Sequence, residues 1–131
     1  MIKTKQYVQS QLNLDPDQLL FGPLLVIVHF SIPFPVSQPN SRRKLHHLRP
    51  HDCKPDGDNL EKFLNDALNQ TLWRDDACIS WLLRSKSWTK EKKGKTSIFV
   101  CELSNSVPDY EEIMNHIREY IQIDKEESLI P

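Results

Sequence analysis

Lys54 to Asp76 reads KPDGDNLEKFLNDALNQTLWRDD, a segment in which apolar spacing and acid placement together select the fold. Leu60, Phe63, Leu64, Ala67 and Leu68 recur at i, i+3, i+4, i+7 and i+8, one apolar stripe of helical period. Asp58 followed by Glu61 has capping-box spacing, so the helix is expected to begin at Asn59 and to run out near Asn69 to Thr71. Pro55 then stands in the loop before it, and Trp73 packs where the chain turns. Asp58, Lys62 and Asp66 follow at i, i+4 and i+8, which sets a lysine between acids on the polar side. After Asp75 and Asp76, alternation in Ala77, Ile79, Trp81 and Leu83 reads as a strand. A helix folded back on that strand brings Asp56 and Asp58 toward Asp76 only if the two pack antiparallel.

Each polar residue also has a plain structural explanation. Asp58 alone reads as an N-cap, Lys62 with Asp66 as a solvated helical pair, and Asp75 with Asp76 as turn residues. Their conjunction is what separates this stretch from an ordinary amphipathic helix. Asp56-Gly57-Asp58-Asn59-Leu60-Glu61-Lys62, then Asp66-Ala67-Leu68, then Trp73-Arg74-Asp75-Asp76 resembles the RusA family of Holliday-junction resolvases. Any one piece is weak; the ordered combination is specific. The resemblance implies a small homodimeric endonuclease that binds four-way junction DNA and uses Mg²⁺, with Mn²⁺ expected to substitute. It nicks two opposing strands and leaves ends a ligase can seal. Carried over residue by residue, Asp56, Asp58 and Asp76 match the family's metal-binding acids and Lys62 its essential lysine, while Asp66 and Asp75 match supporting motif positions. Relatives commonly begin with a strand and an Arg-Pro-Arg-like segment; this chain lacks that segment, which leaves the sheet edge and part of the DNA surface open.

The chemistry of the residues agrees. Mg²⁺ takes oxygen ligands, keeps several waters and is held by a few carboxylates together with substrate phosphate. Lys62, a point charge one turn beyond Asp58, suits a non-bridging phosphate oxygen or the leaving group. No organic cofactor is implied, and no Ser or Cys sits in a nucleophile motif.

A chain of 131 residues suits one domain, here residues 1–131, with 1–22 as an N-terminal extension and 124–131 as a frayed tail. Tyr7, Val8, Gln11 and Leu12 fit a short helix before Asp15-Pro16, and Leu19 to Phe21 an anchoring loop. At 38% hydrophobic and 27% charged the composition is that of a soluble protein, and without a long apolar run no membrane partner is expected, so cytoplasmic residence is the default. Cys53, Cys78 and Cys101 have no metal or redox spacing and are expected reduced and mostly buried.

The net charge of −1 hides an asymmetry: from Arg42 to Lys95 there are 13 Lys and Arg against 8 Asp and Glu, whereas Glu102 onward carries 8 acids against Arg118 and Lys125. Ser41 to His51 reads as a basic loop, with Arg42, Arg43, Lys44 and Arg49 set to track phosphates. Lys54, Lys92 and Lys93 extend that candidate surface, the last two at a hairpin tip marked by Gly94. His46, His47, His51 and Cys53 fit no common zinc spacing. Trp81 and Trp88 are candidates to stack on opened bases, with a core or dimer place favoured for Trp81.

Leu24 to Phe30 is nearly all apolar and β-branched, a central strand covered on both faces, in which His29 reads as a satisfied core histidine. Leu48 to Cys53 is expected to enter the sheet, Ser97 to Leu103 to return as a strand, and Pro108-Asp109 to open a last helix with Ile113, Ile117, Tyr120 and Ile121 as its stripe. The fold expected is α+β: a mixed sheet of about four strands, the motif helix on one face and a C-terminal helix nearby. Two rivals stand beside the resolvase reading: a nuclease of the same scaffold acting on other branched or single-stranded DNA, and a non-catalytic DNA-binding protein.

Overall fold

The computed structural model describes residues 16–104 and 110–128. Among them the named strands are β1 (Leu24–Pro33), β2 (Ile79–Thr89) and β3 (Lys95–Glu102), and the helices α1 (Asn40–His46), α2 (Gly57–Leu68) and α3 (Tyr110–Ser128). The sheet order is β2-β1-β3, with β1 parallel to β2 and antiparallel to β3. The expected α+β class with a mixed sheet holds.

Why β1 takes the middle follows from its composition. Leu24 through Val28 are each at most 2% exposed, because the run has apolar side chains on both faces and can satisfy both only between two layers. Leu24, Val26, Val28 and Phe30 meet Leu64 and Leu68 of α2 and the fully buried Trp73 on one face; Leu25 meets Leu103 and Ile113 of α3 on the other. The result is three layers, helix on sheet on helix. His29 has both ring nitrogens hydrogen-bonded, Nδ1 with Ser85 Oγ at 2.7 Å and Nε2 with Ser87 Oγ at 2.8 Å, as a satisfied histidine requires.

Several expectations change. Among the described residues the sheet has three strands, and the segment expected to supply a fourth meets β2 through the Pro50–Ser87 bridge and the flanking Leu48 N–H to Trp88, Trp88 N–H to Arg49 and His51 N–H to Lys86 bonds, too few to extend it as a strand. Pro50 has no N–H to extend that ladder, and Leu48 takes a positive φ of 69° just before it. The segments either side of Gly94 form no paired hairpin, because β1 lies between β2 and β3 and the 90–94 connection crosses its end. Gly94 comes so close there that a Cβ would stand 3.1 Å from the Ser31 carbonyl. Strand β2 begins at Ile79 after a 3₁₀ turn at Asp76–Cys78 and runs on to Thr89, so Arg84, Lys86 and Trp88 are strand residues.

Helix α2 begins at Gly57 with Asp56 at its N-cap position and no side-chain cap bond; Asp58 is therefore a first-turn acid, still favoured there by the helix dipole. Phe63 is 44% exposed, leaving Leu60, Leu64, Ala67 and Leu68 as the packed stripe. Residues 40–46 of the supposed basic loop are helical. Cys53 is exposed rather than buried, though all three cysteines are free. Leu19 is buried and Leu20 pairs with Leu72 and Arg74 through backbone bonds, while Phe21 is exposed with the Arg74 guanidinium 5.0 Å from its ring.

The helix proposed around Tyr7 to Leu12 and the Pro108-Asp109 start lie outside the described residues. Helix α3 continues to Ser128, past the expected fraying point at Asp124. Its stripe narrows to Ile113, Ile117 and Tyr120, since Ile121 is 45% exposed. No described helix is long and apolar enough to cross a membrane.

Two outcomes follow. Trp73→Ala is expected to cost about 3–5 kcal/mol in denaturant unfolding, since it opens the α2 side of the core and leaves the Asn69 amide oxygen, 2.8 Å from the indole nitrogen, without its donor. His51 is 5% exposed against Trp88, and burial, aided by Lys86 and opposed by Asp52, lowers its pKa below the ordinary 6.5. The unfolded chain therefore takes this proton first, so the stability His51 contributes is complete above pH 6.5 and falls as the pH drops below it. Urea midpoints at about pH 7.5 and about pH 5.5 should differ more for the wild type than for His51→Phe.

Candidate active site

Helix α2 runs antiparallel to β2. Glu61 in its first half accepts from Arg84 at 2.8 Å, and its C-terminal half lies against Asp76 at the start of the strand. The connection from Leu68 to Asp76 is short, so the chain reverses and places Asp76 beside the end of the helix it has just left. Asp58, Glu61, Lys62, Asn65, Asp66, Asn69 and Asp76 line one open hollow of about 390 Å³ along this polar flank.

Asp76 is the oriented acid of the group. Its Oδ2 accepts from Asn65 Nδ2 at 3.2 Å and its Oδ1 from Asn69 Nδ2 at 3.3 Å. Asn69 is in turn aligned by the Trp73 indole N–H, so the position of a half-buried carboxylate is set from the core. An ionised carboxylate keeps lone pairs for a further partner after accepting two amides. Asn65 and Asn69 were not among the residues singled out from sequence. Two asparagines at i, i+4 beside a helix stripe, where Asn is a poor helix former, were the available signal.

Not all the expected acids converge. Asp58, Asp66 and Asp76 share the hollow, while Asp56 and Asp75 are exposed and stand outside its lining. Asp58 and Asp56 precede Asn65 by seven and nine residues, about 10 and 13 Å along the helix axis. Antiparallel packing was the condition for the first-turn acids to meet Asp76; it brings the last turn there instead, and among the described residues the carboxylates of Asp56, Asp58 and Asp76 do not gather within 4.8 Å of one another. Lys62 lies midway along the hollow with its side chain exposed.

Two β2 cations, also not foreseen, hold the loop that carries Asp56. Lys86 Nζ donates to the carbonyls of Cys53 at 2.6 Å and Pro55 at 2.8 Å. The Arg84 guanidinium crosses Gly57 so closely that a Cβ there would lie 2.6 Å from Nε, and a larger residue would have to displace that side chain. The Arg84–Glu61 pair is substantially solvated, so its contribution is alignment more than stability.

The basic residues divide. Arg43 is turned inward, its Nη2 donating to the carbonyls of Pro35 and Val36, so it braces the loop before α1. Arg42, Lys44, Arg49, Lys54, Lys92 and Lys93 are exposed. The two basic stretches meet where the Lys90 N–H donates to His47 Nδ1 at 3.0 Å. Trp88 is unsuited to base stacking, for Phe34 lies parallel to it at 4.5 Å and His51 at 4.1 Å. Trp81 is 39% exposed and meets Tyr110 edge-on.

The sequence family described as Endodeoxyribonuclease RusA matches residues 2–100 of this chain. An uncharacterized protein of Bacillus subtilis (strain 168), YqaN, is 34% identical over 100 residues, which is 72% of this chain and 70% of the relative. The family match takes in β1, α2 with its acids, the Asp76 turn and β2, the same elements that build the hollow. By the family match, which spans most of its length, the chain belongs to the RusA family of endodeoxyribonucleases.

Proposed function

We propose that this chain is a divalent-metal-dependent endodeoxyribonuclease that resolves four-way DNA junctions by paired symmetric nicks, acting as a homodimer. Membership of the RusA family supports the reaction class. The observation that carries the site is Asp76, held by two amides in a hollow it shares with Asp58, Lys62 and Asp66.

The donor set fits a hard cation: the hollow offers carboxylate oxygens and no sulfur or imidazole, and Mg²⁺ is content with one or two carboxylates plus water and phosphate. Asp56, Asp58 and Asp76 are the residues proposed to hold it, which requires the start of α2 and the Asp76 turn to close toward one another around the ion, with Asp66 and Asp75 in support. When bound, the ion supplies an activated water and neutralises charge on the phosphate. The remaining work falls to the chain itself. Asn65 and Asn69 keep the Asp76 carboxylate facing the hollow. Lys62 stands where a phosphate entering between the two ends of the hollow meets a cation, and stabilises charge as the phosphodiester bond breaks. Arg42, Lys44, Arg49, Lys54, Lys92 and Lys93 hold the duplex arms by their phosphates. A four-way junction has two-fold symmetry, so two opposed nicks require two sites. The exposed apolar patch of Trp81, Leu83, Tyr110 and Met114 on the α3 side favours a self-complementary pair of chains.

The separation of Asp56 and Asp58 from Asp76 favours a second reading, a DNA-binding member of the family without cleavage. Incubating the purified protein with a mobile synthetic junction, with and without Mg²⁺ or Mn²⁺, and mapping the nicks separates the two. A panel of flaps, forks and single strands tests junction selectivity.

Asp76→Asn is expected to abolish cleavage while junction binding by gel shift survives; full cutting by this variant would overturn the assignment. Lys62→Ala should slow cleavage about 10²–10³-fold with a much smaller change in affinity, and a parallel loss of both would make Lys62 a docking residue. Asn65→Ala with Asn69→Ala should reduce cleavage about 10–100-fold at saturating DNA and raise the metal concentration needed for half activity. Unchanged metal dependence would leave the amides a purely structural part.

A further inference from the structure

On the face of the sheet away from α2, Cys101 of β3 meets His116 and Glu119 of α3. One donor atom from each lies within 4.8 Å of the other two, and among the described residues this is the one Cys, His, Asp or Glu trio that does so. The nuclease hollow contributes none of its members.

The three have the character of a metal site. His116 and Glu119 are one turn apart on α3, with Nδ1 and Oε2 separated by 3.8 Å. Tetrahedral zinc, with bonds of about 2.0–2.3 Å, holds its donors roughly 3.3–3.7 Å apart, so donors within 4.8 Å of one another need only close by about 1 Å through side-chain rotation to form the set. The other ring nitrogen, Nε2, faces Glu112 Oε1 at 4.0 Å, and Glu112 is itself fixed by the backbone N–H and hydroxyl of Ser104, both at 3.2 Å. At 4.0 Å the two are not hydrogen-bonded, but a carboxylate that closes onto Nε2–H when the ring ligates a metal selects the tautomer that leaves Nδ1 free to bind. Burial first and the Glu119 charge second push the Cys101 thiol upward, so the ion-free chain holds a protonated thiol beside a carboxylate. A cation between them reverses that balance. Thiolate with imidazole selects zinc over magnesium.

We propose that Cys101, His116 and Glu119 bind one Zn²⁺ ion, with water in the fourth position, and that the ion clamps α3 onto β3. On binding, the Cys101 proton passes to solvent and a sulfur–zinc bond forms; no redox change is involved.

The test is titration of the metal-free protein with Co²⁺, read by the thiolate-to-cobalt charge-transfer band, followed by displacement with Zn²⁺. One band per chain is expected, retained in Cys53→Ser with Cys78→Ser and lost in Cys101→Ser. Glu119→Gln, an exposed change with little effect on folding, should weaken Zn²⁺ binding at least tenfold with an unchanged circular dichroism spectrum. Zinc should raise the melting temperature of the wild type, and less so that of Glu119→Gln. Absence of the band, its survival in Cys101→Ser, or equal zinc affinity in Glu119→Gln would overturn the proposal. Because the band reports sulfur ligation, it is silent to metal at the aspartates, and the outcome is independent of whether the chain cuts DNA.

Discussion

The structure depends on the burial of β1 from both sides. Five consecutive apolar residues, Leu24 to Val28, leave no face that water can occupy, so the strand needs a neighbour on each edge and a layer on each face. Strand β2 comes in parallel and β3 antiparallel, α2 closes one face and α3 the other. Parallel pairing of β1 with β2 in turn demands a long crossover, and the 79–89 strand is reached only after α1, the 48–55 loop and α2 have been threaded between them. The candidate site is a by-product of that crossover.

Its geometry follows from how the crossover ends. A helix joined by a short turn to the strand beneath it must run antiparallel to that strand, and the strand's first residues then meet the helix's last turn. Asp76 therefore faces Asn65 and Asn69, while Arg84 and Lys86, farther along β2, face the helix start and the loop before it. The acids are distributed along a trough with Lys62 between them. Such a trough is open to a phosphate backbone along its length. Both ends of it are braced, by Trp73 from the core through Asn69 at one end and by Lys86 of β2 through the Pro55 carbonyl at the other.

The two faces of the sheet divide the chemistry. On the α2 face the ligand atoms are oxygen, suited to a hard, hydrated ion; on the α3 face Cys101 and His116 offer softer donors. The basic residues of α1 and the 90–93 turn come together at the far end of β2, across the His47–Lys90 bond, beyond the N-terminal end of the trough. The acid-rich C-terminal segment is carried by α3 on the other layer.

The family, the class of fold and the central strand were legible in the sequence because each rests on local pattern. Helical spacing of Leu60, Leu64 and Leu68, an unbroken apolar β1, and the Asp56 to Asp76 motif need no knowledge of what lies opposite. Reading Phe63 and Ile121 as packed went too far, since a stripe's width depends on how closely the sheet approaches. The pairing of β2 and β3 as a hairpin failed because nothing local reveals that β1 inserts between them. The polar partners were hidden for the same reason: Asn65, Asn69, Arg84 and Lys86 acquire roles only once α2 lies antiparallel on β2, and Trp88 loses its stacking role only once Phe34 and His51 cover it. Periodicity is a property of one segment, and the sequence by itself determined which segments bury a face and which acids belong to the motif. Which acid meets which helix turn depends on segments far apart in the chain packing together, and only the tertiary structure decided it.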